Sequence, residues 1–101
     1  MKSSIYIITN DINDKVYVGK TMHSIEKRFK EHCKDSKKER NEKRPLYNAM
    51  NKYGIKHFKI SLLEECDSEN AEEREIYWIE YYNSYKNGYN ATKGGDGKTL
   101  H

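Results

Sequence analysis

One acidic residue in the C-terminal part of the chain takes a position that charged side chains seldom occupy. The sequence from Asp67 to about Tyr82 predicts a helix, and Glu75 falls in the middle of its apolar stripe. The stripe consists of Ala71, Trp78, Ile79 and Tyr82. A carboxylate on a core-facing stripe is expected to pair with a cation or to coordinate a metal ion, because burying it alone is costly. Two interpretations therefore stay open for Glu75: a buried salt bridge to an arginine, and a metal ligand.

A second group of polar side chains lies on the first predicted helix. His32 falls between Ile25 and Phe29 on the inward side of that helix, and Arg28 lies one turn before His32. Residues spaced i and i+4 are neighbours on one helical face. A proton acceptor beside a cation that neutralises phosphate charge is what a phosphodiesterase requires. The simpler interpretation is a hydrogen-bonded core histidine next to a solvated arginine.

Two tyrosines in the N-terminal part complete the set of residues that could do chemistry. Tyr6 and Tyr17 lie on either side of a predicted hairpin turn and are expected to fall close to opposite each other. Cross-strand tyrosines are most often packing residues, but their hydroxyl groups could also reach a water or a phosphate oxygen. Gly19 follows the second strand and is expected to leave room for a ligand or another backbone.

The elements that must position these side chains begin with a hairpin and a helix. The β-rich segments Ile5–Thr9 and Lys15–Lys20 are separated by about five turn-forming residues, which predicts a β-hairpin. A helix follows, with Thr21 or Ser24 as its N-cap, and runs to about Lys37. Its apolar stripe is Met22, Ile25, Phe29 and Cys33.

The second half of the chain predicts two further helices and one strand. Pro45 opens a short helix that Gly54 ends. Alternating apolar residues then predict a half-buried third strand, and Asp67-Ser68 is expected to cap the helix that carries Glu75. The alternating residues are Phe58, Ile60 and Leu62. The fold class is therefore α+β, a small three-stranded antiparallel sheet flanked by three helices.

Length and cysteine content limit the organisation of the chain. Its 101 residues fit one domain. We expect this domain to span residues 1–92, with a flexible Gly-rich tail over 93–101 as the start of a linker. Cys33 and Cys66 are isolated, which argues against a structural zinc site or a disulfide framework. With no signal-peptide pattern at the N-terminus, a cytoplasmic protein is expected.

Charge is distributed unevenly along the chain. Between Lys27 and Arg44 there are nine Lys or Arg against four Asp or Glu, whereas from Glu64 to Glu80 eight acids face only Arg74. A basic segment of this kind suits a polyanion such as DNA, although a solvated basic helix and loop would look the same. The candidate DNA-binding residues are Lys20, Lys27, Lys34, Lys37, Lys38, Arg40, Lys43 and Arg44.

Five short motifs in this chain occur in a recognisable order. Ser4-Ile5-Tyr6 and Tyr17-Val18-Gly19 are separated by ten residues, and the RxxxH spacing of Arg28 and His32 follows. Glu73-Arg74-Glu75 precedes Ile76-Tyr77-Trp78-Ile79, and Asn87-Gly88-Tyr89-Asn90 comes last. In this order the motifs resemble those of the GIY-YIG nuclease superfamily over residues 3–92. The pattern is most similar to the N-terminal catalytic domain of phage and group I intron homing endonucleases.

The resemblance implies a metal-dependent DNA endonuclease. Glu75 would bind one Mg²⁺ or Mn²⁺, whose other ligands would be waters and a phosphate oxygen, as a hard cation prefers. Arg28 would neutralise charge on the phosphoryl oxygens. Tyr17 would hold the attacking water, with His32 accepting its proton; which of the two is the formal base stays open. Ser4, where the family carries glycine, casts little doubt on activity.

Two more positions complete the implied site. Tyr6 would position the phosphate or Tyr17, and Asn90 would support the site through hydrogen bonds. If no metal bound, Arg28 would be the expected partner of Glu75. A restriction or repair nuclease and a catalytically silent DNA-binding module are the alternatives. A DNA-recognition region is expected to follow the domain, which is expected to act as a monomer without a small-molecule cofactor or a membrane.

Overall fold

The computed structural model describes residues 1–38 and 43–94. Three strands form one antiparallel sheet in the order β2-β1-β3, with three helices around it. The α+β prediction is therefore confirmed. The elements are β1 (Lys2–Asn10), β2 (Tyr17–Thr21), α1 (Ile25–Asp35), α2 (Pro45–Tyr53), β3 (Phe58–Asp67) and α3 (Ala71–Tyr82).

Arg40 and most of the tail predicted over residues 93–101 lie outside the described residues, so the domain boundary stays a prediction. Among the described helices, none combines the length and the apolar character that crossing a membrane would require.

The hairpin is held by the side chain of Asn10. Its Oδ1 accepts hydrogen bonds from the backbone N–H groups of Ile12 and Asn13, both at 2.8 Å, and its Nδ2 donates to the Lys15 carbonyl at 2.9 Å. This Asx turn moves the centre of the hairpin beyond Ile12. Tyr6 therefore pairs with Gly19, and Ile8 with Tyr17. Tyr6 and Tyr17, which were expected close to opposite each other, are diagonal neighbours, two residues from a direct pair.

Residues at the helix ends determine where the first two helices begin and end. Ser24 caps α1 by accepting a hydrogen bond from the Lys27 N–H, and α1 ends at Asp35, two residues before the predicted end. Met22 precedes the helix and is 56% exposed, so it is not part of the apolar stripe. Pro45 is the first residue of α2, and Gly54 follows its last residue with φ +99°.

Alternate residues of β1 supply two cores on opposite faces of the sheet. Side chains alternate between the two faces of a strand, so Tyr6 and Ile8 pack under α2 while Ile5 and Ile7 face α3. Each fully buried Ile contributes roughly 1.5–3 kcal/mol to folding. The chain is therefore a three-layer arrangement in which β1 is covered on both faces.

The third strand departs from the predicted alternation. Phe58 is buried as expected, but Leu62 is 50% exposed. Tyr6 pairs with Leu62 whereas Ile5 pairs with Glu64, so Leu63 is an extra residue that interrupts the alternation. The prediction for Leu62 is wrong because β3 is an edge strand with such a bulge.

The start of α3 also differs from the expected cap. Asp67 makes no capping hydrogen bond and forms an ion pair with Lys2 at 3.1 Å instead. Ser68 shares a hydrogen bond with Ser3, with a distance of 2.7 Å between the two hydroxyl oxygens. A 3₁₀ turn (Ser68–Asn70) intervenes before α3, which ends at Tyr82 as predicted.

Candidate active site

A cleft of about 120 Å³ opens beside β2, which is an edge strand, and is bounded by α2 and α3. Tyr17 lines it from β2, Glu75 from α3, and Arg44 and Tyr47 from the start of α2. Asn90 closes it from the segment after α3. Three of the six predicted catalytic residues therefore line one cavity.

Glu75 occupies the position that its helical stripe predicts. It is 8% exposed, with Ala71 and Ile79 buried on the same face of α3. Its Oε1 forms an ion pair with Lys20 Nζ at 3.2 Å. Arg28 was expected in this role, but its Nη1 instead pairs with Glu31 Oε1 at 3.1 Å. Lys20 reaches Glu75 from β2 across 55 residues of sequence, so no local pattern indicates this partner.

His32 is held between two tyrosine hydroxyl groups. It is 1% exposed, its Nε2 lies 2.7 Å from Tyr6 Oη, and its Nδ1 lies 2.8 Å from Tyr47 Oη. Burial lowers the pKa of His32 from 6.5 to about 3, and the positive charge of Arg28 adds to this effect. The imidazole is therefore neutral near pH 7, with one nitrogen accepting a hydrogen bond and the other donating one.

The two predicted tyrosines contact this histidine differently. Tyr17 packs edge-on against the His32 ring, with 5.3 Å between centroids, whereas Tyr6 bonds to it directly. Burial, together with the negative charge of Glu75, raises the pKa of Tyr17 to about 12. Burial also raises the pKa of Tyr6, while the facing charge of Arg28 opposes that rise. Both phenols therefore keep their protons at neutral pH.

Both nitrogens of His32 are hydrogen-bonded to the hydroxyl groups of Tyr6 and Tyr47. The expected direct transfer of a proton from Tyr17 to His32 therefore lacks a hydrogen bond between these two residues in this arrangement. Tyr17 touches His32 through its ring edge only. Any proton coupling between the two would have to pass through another hydroxyl or a water.

Asn90 fastens the last segment to the middle of β2. Its Oδ1 accepts from the Val18 N–H at 2.8 Å, and its Nδ2 donates to the Val18 carbonyl at 2.9 Å. Ser84 Oγ also donates to this Oδ1, at 2.7 Å. The amide thus pairs with an edge strand as another strand would, which holds Tyr17 in register beside the cleft.

Gly19 leaves room for a side chain of the chain itself rather than for a ligand. A Cβ at Gly19 would overlap the hydroxyl group of Tyr6 and lie 2.5 Å from Tyr6 Cζ. The glycine therefore allows the ring of Tyr6 to lie across β2 and reach His32.

The predicted DNA-binding residues do not all have the same surroundings. Lys20 lies in the site, paired with Glu75, and Arg40 is outside the described residues. Lys38 is exposed and pairs with Asp35 at 3.1 Å. The other exposed cations lie on or near α1 and before α2: Lys27, Lys34, Lys37, Lys43 and Arg44.

The family model of the GIY-YIG catalytic domain matches residues 2–90 of this chain, which includes every residue placed in the site above. The chain belongs to the GIY-YIG nuclease family. Relatives support this: intron-associated endonuclease 1 of Enterobacteria phage T4 is 44% identical over 101 residues, covering 98% of this chain and 40% of that protein. The uncharacterised protein 019R of Invertebrate iridescent virus 6 is 39% identical over 66 residues, covering 62% of this chain and 22% of that protein.

Solved structures of the GIY-YIG fold agree with this membership. The catalytic domain of intron endonuclease I-TevI, as an E75A mutant, matches with a TM-score of 0.80 and 42% identity, covering 92% of this chain and 96% of that one. A second structure, of the catalytic domain of homing endonuclease I-TevI, matches with a TM-score of 0.75 and 40% identity, covering 89% and 98%. The chain spans 40% of the length of the phage T4 relative and 22% of that of the viral protein.

The donor set of this GIY-YIG site fits a hard cation that keeps most of its water. Within the described ranges, no group of three or more His, Cys, Asp and Glu side chains converges on one point. Glu75 supplies one carboxylate at the cleft wall, and Lys20 already bonds to one of its oxygens. A single carboxylate with open space beside it suits Mg²⁺, which commonly binds through one or two carboxylates and several waters.

Sequence reasoning missed Tyr47, whose hydroxyl completes the histidine bridge. Tyr47 is 2% exposed and lies between Leu46 and the buried Ala49 on α2. A tyrosine in such an apolar helix is usually a packing residue, so nothing in the local pattern indicated a polar role.

Proposed function

We propose that this chain is the catalytic domain of a homing-type endonuclease that hydrolyses DNA phosphodiester bonds with one divalent ion, Mg²⁺ or Mn²⁺. The proposal rests mainly on one observation: Glu75 and Tyr17 line the same cleft, and Tyr17 packs against His32, which is hydrogen-bonded to Tyr6. One cavity then contains a carboxylate that can bind a hard cation and a hydroxyl group that can bind a water. Cations that suit a phosphate lie beside them.

Glu75 is the residue that would hold the ion. When bound there, the ion would polarise the scissile phosphate and stabilise the leaving 3′ oxygen. Lys20, 3.2 Å from Glu75, neutralises this carboxylate in the free domain and could contact a phosphate oxygen once the carboxylate has another partner.

Tyr17 would orient the attacking water through its hydroxyl oxygen. With its pKa raised to about 12, this phenol is not ionised in advance at neutral pH and acts by hydrogen bonding. Neutral His32 holds Tyr6, and Arg28 faces Tyr6 with a charge that would offset the charge developing on the phosphoryl oxygens. His32 thus acts by positioning the tyrosines that surround it.

The exposed lysines of α1 and the basic residues before α2 would contact the DNA backbone. Such contacts make binding fall with salt and carry no sequence information. We also propose that the domain works as a monomer inside the cell, where Cys33 and Cys66, both free thiols, would stay reduced.

Two alternatives are less well supported. The T4 relative is an intron-associated endonuclease, which favours a homing enzyme over a restriction or repair nuclease. A silent DNA-binding module would not need a nearly buried Glu75 at a cleft that Tyr17 also lines, even though the ion pair with Lys20 offsets part of the burial cost.

The test is cleavage of supercoiled plasmid by the 101-residue chain with Mg²⁺, Mn²⁺ or EDTA, in wild type and in Tyr17→Phe. We expect nicked or linear product with either metal, none in EDTA, and a large loss of rate in Tyr17→Phe. Tyr77→Phe is the matched control because Tyr77 is an exposed residue of α3 that is not on its buried face. Absence of cleavage with every metal, or cleavage that EDTA leaves unchanged, would overturn the proposal.

A further inference from the structure

Tyr47 is a buried residue that lines the cleft and whose hydroxyl group contacts His32. Its ring lies among the apolar residues of α2, its Oη lies 2.8 Å from His32 Nδ1, and it lines the same cavity as Glu75. The Arg44 guanidinium lies 5.8 Å above its ring. A residue that served only for packing would not need the polar contacts that Tyr47 makes with His32 and Arg44.

The direction of the hydrogen bonds at His32 follows from what surrounds each tyrosine. Tyr6 Oη is faced by Arg28, which can only donate, so the hydrogen of Tyr6 must find an acceptor elsewhere. Among the described residues, the acceptor bonded to Tyr6 Oη is His32 Nε2 at 2.7 Å. Tyr47 is faced by Arg44 in the same way, but Tyr47 lines the cleft, where solvent can accept its hydrogen. Tyr6 is 1% exposed, and a buried hydroxyl without an acceptor is destabilising, so Tyr6 donates to Nε2. Neutral His32 then carries its proton on Nδ1 and donates it to Tyr47.

The hydroxyl of Tyr47 therefore accepts from His32 and has its own hydrogen left to donate. Because Tyr47 lines the cleft, that hydrogen can be directed into the cavity. Arg44 lines the same cavity and is the N-cap residue of α2, where the helix dipole is positive. A donor hydroxyl beside a guanidinium is suited to an anion with two free oxygens.

We propose that Tyr47 is a substrate-contacting residue: its hydroxyl, oriented by His32, donates a hydrogen bond to a non-bridging oxygen of a DNA phosphate, which Arg44 neutralises. The inference rests on the proposed function, since it names a contact of the same site. It also gives His32 a second role, because the imidazole orients Tyr47 on one side and Tyr6 on the other.

The first experiment reads the tautomer of His32 by ¹⁵N NMR of the imidazole in the wild-type chain. We expect the proton on Nδ1 and none on Nε2, and we expect Tyr47→Phe to change the Nδ1 resonance strongly. Tyr53→Phe, on the same helix but outside the cleft, is the control and should leave the spectrum unchanged. An imidazole protonated on Nε2 in the wild type would overturn the inference.

The second experiment measures binding of a short DNA duplex in EDTA by fluorescence anisotropy, so that it does not depend on cleavage. Losing one hydrogen bond to a charged phosphate should weaken binding by Tyr47→Phe about tenfold. Arg44→Gln should weaken binding and reduce the slope of log K against log salt by about one. Because Arg44 is exposed, Arg44→Gln is expected to fold, and its DNA binding still tests the proposal if Tyr47→Phe folds poorly. Circular dichroism would show whether Tyr47→Phe is folded.

Failure of the proposed Tyr47 contact can be distinguished from failure of the proposed nuclease function. If Tyr47→Phe folds and binds DNA as Tyr53→Phe does, the contact is refuted even where the wild type cleaves plasmid. If Tyr47→Phe weakens binding while the wild type cleaves nothing, the contact stands and the nuclease function fails.

Discussion

The buried imidazole of His32 makes the stability of the domain depend on pH, and this dependence can be isolated by one substitution. The pKa of His32 is about 3 in the folded chain against 6.5 for an exposed histidine, because burial and the charge of Arg28 disfavour the protonated form. The unfolded chain therefore binds a proton between these two values that the folded chain does not. Stability from this residue is fully present above pH 6.5 and is lost as the pH falls towards 3.

The size of the effect follows from the two pKa values. Within that window each pH unit costs about 1.4 kcal/mol, so lowering the pH from 7.5 to 4.5 removes roughly 2.6 kcal/mol through His32 alone. Carboxylates titrate over part of the same range, so the useful quantity is the difference between wild type and a variant that lacks the imidazole. His32→Gln is the choice, because its amide can bond to both Tyr6 and Tyr47 and does not titrate.

Urea unfolding monitored by the fluorescence of the single tryptophan, Trp78, gives the free energy of unfolding at each pH. We expect the wild type to lose about 2 kcal/mol more than His32→Gln between pH 7.5 and 4.5. His23→Gln, which removes an exposed imidazole, is the control and should follow the wild type. Parallel pH dependences in the wild type and His32→Gln would refute the picture of a neutral, buried His32.

Three further predictions test how the site is positioned. Gly19→Ala places a methyl group against the Tyr6 ring, so urea unfolding should show a loss of about 1–3 kcal/mol and plasmid assays should show slower cleavage. Asn90→Ala leaves the Val18 N–H and C=O without their partner, which should cost about 2–4 kcal/mol by the same unfolding measurement. Ser24→Ala removes the cap of α1 and should lower the unfolding free energy by about 1 kcal/mol without affecting cleavage under folded conditions. Unchanged stability in Asn90→Ala would show that its hydrogen bonds to β2 are dispensable.

Much of the fold could be predicted because its signals are local. Ser24 as a cap, Pro45 as a first helical residue and Gly54 as a helix stop each act within a few residues, and each appears as predicted. The inward position of Glu75 also follows from helical periodicity alone.

The features that could not be predicted are contacts between residues that are far apart in the sequence. Lys20 reaches Glu75 across the β2–α3 interface, and Tyr47 reaches His32 from a different helix. The diagonal placement of Tyr6 and Tyr17 depends on where the Asn10 side chain sets the turn, since two residues of register decide which pairs face each other. Residue types and periodicity do not contain these distances.

The claim that Glu75 is the metal-binding carboxylate of a nuclease is tested most directly by the rate of plasmid cleavage in Mg²⁺ by Glu75→Gln beside Glu73→Gln. Both substitutions remove one acid from α3, but Glu73 is exposed and Glu75 lies at the cleft. We expect Glu75→Gln to slow cleavage at least about a hundredfold, since the several kcal/mol supplied by the ion would be lost, and Glu73→Gln to retain the wild-type rate. Equal rates in the two variants would contradict the account.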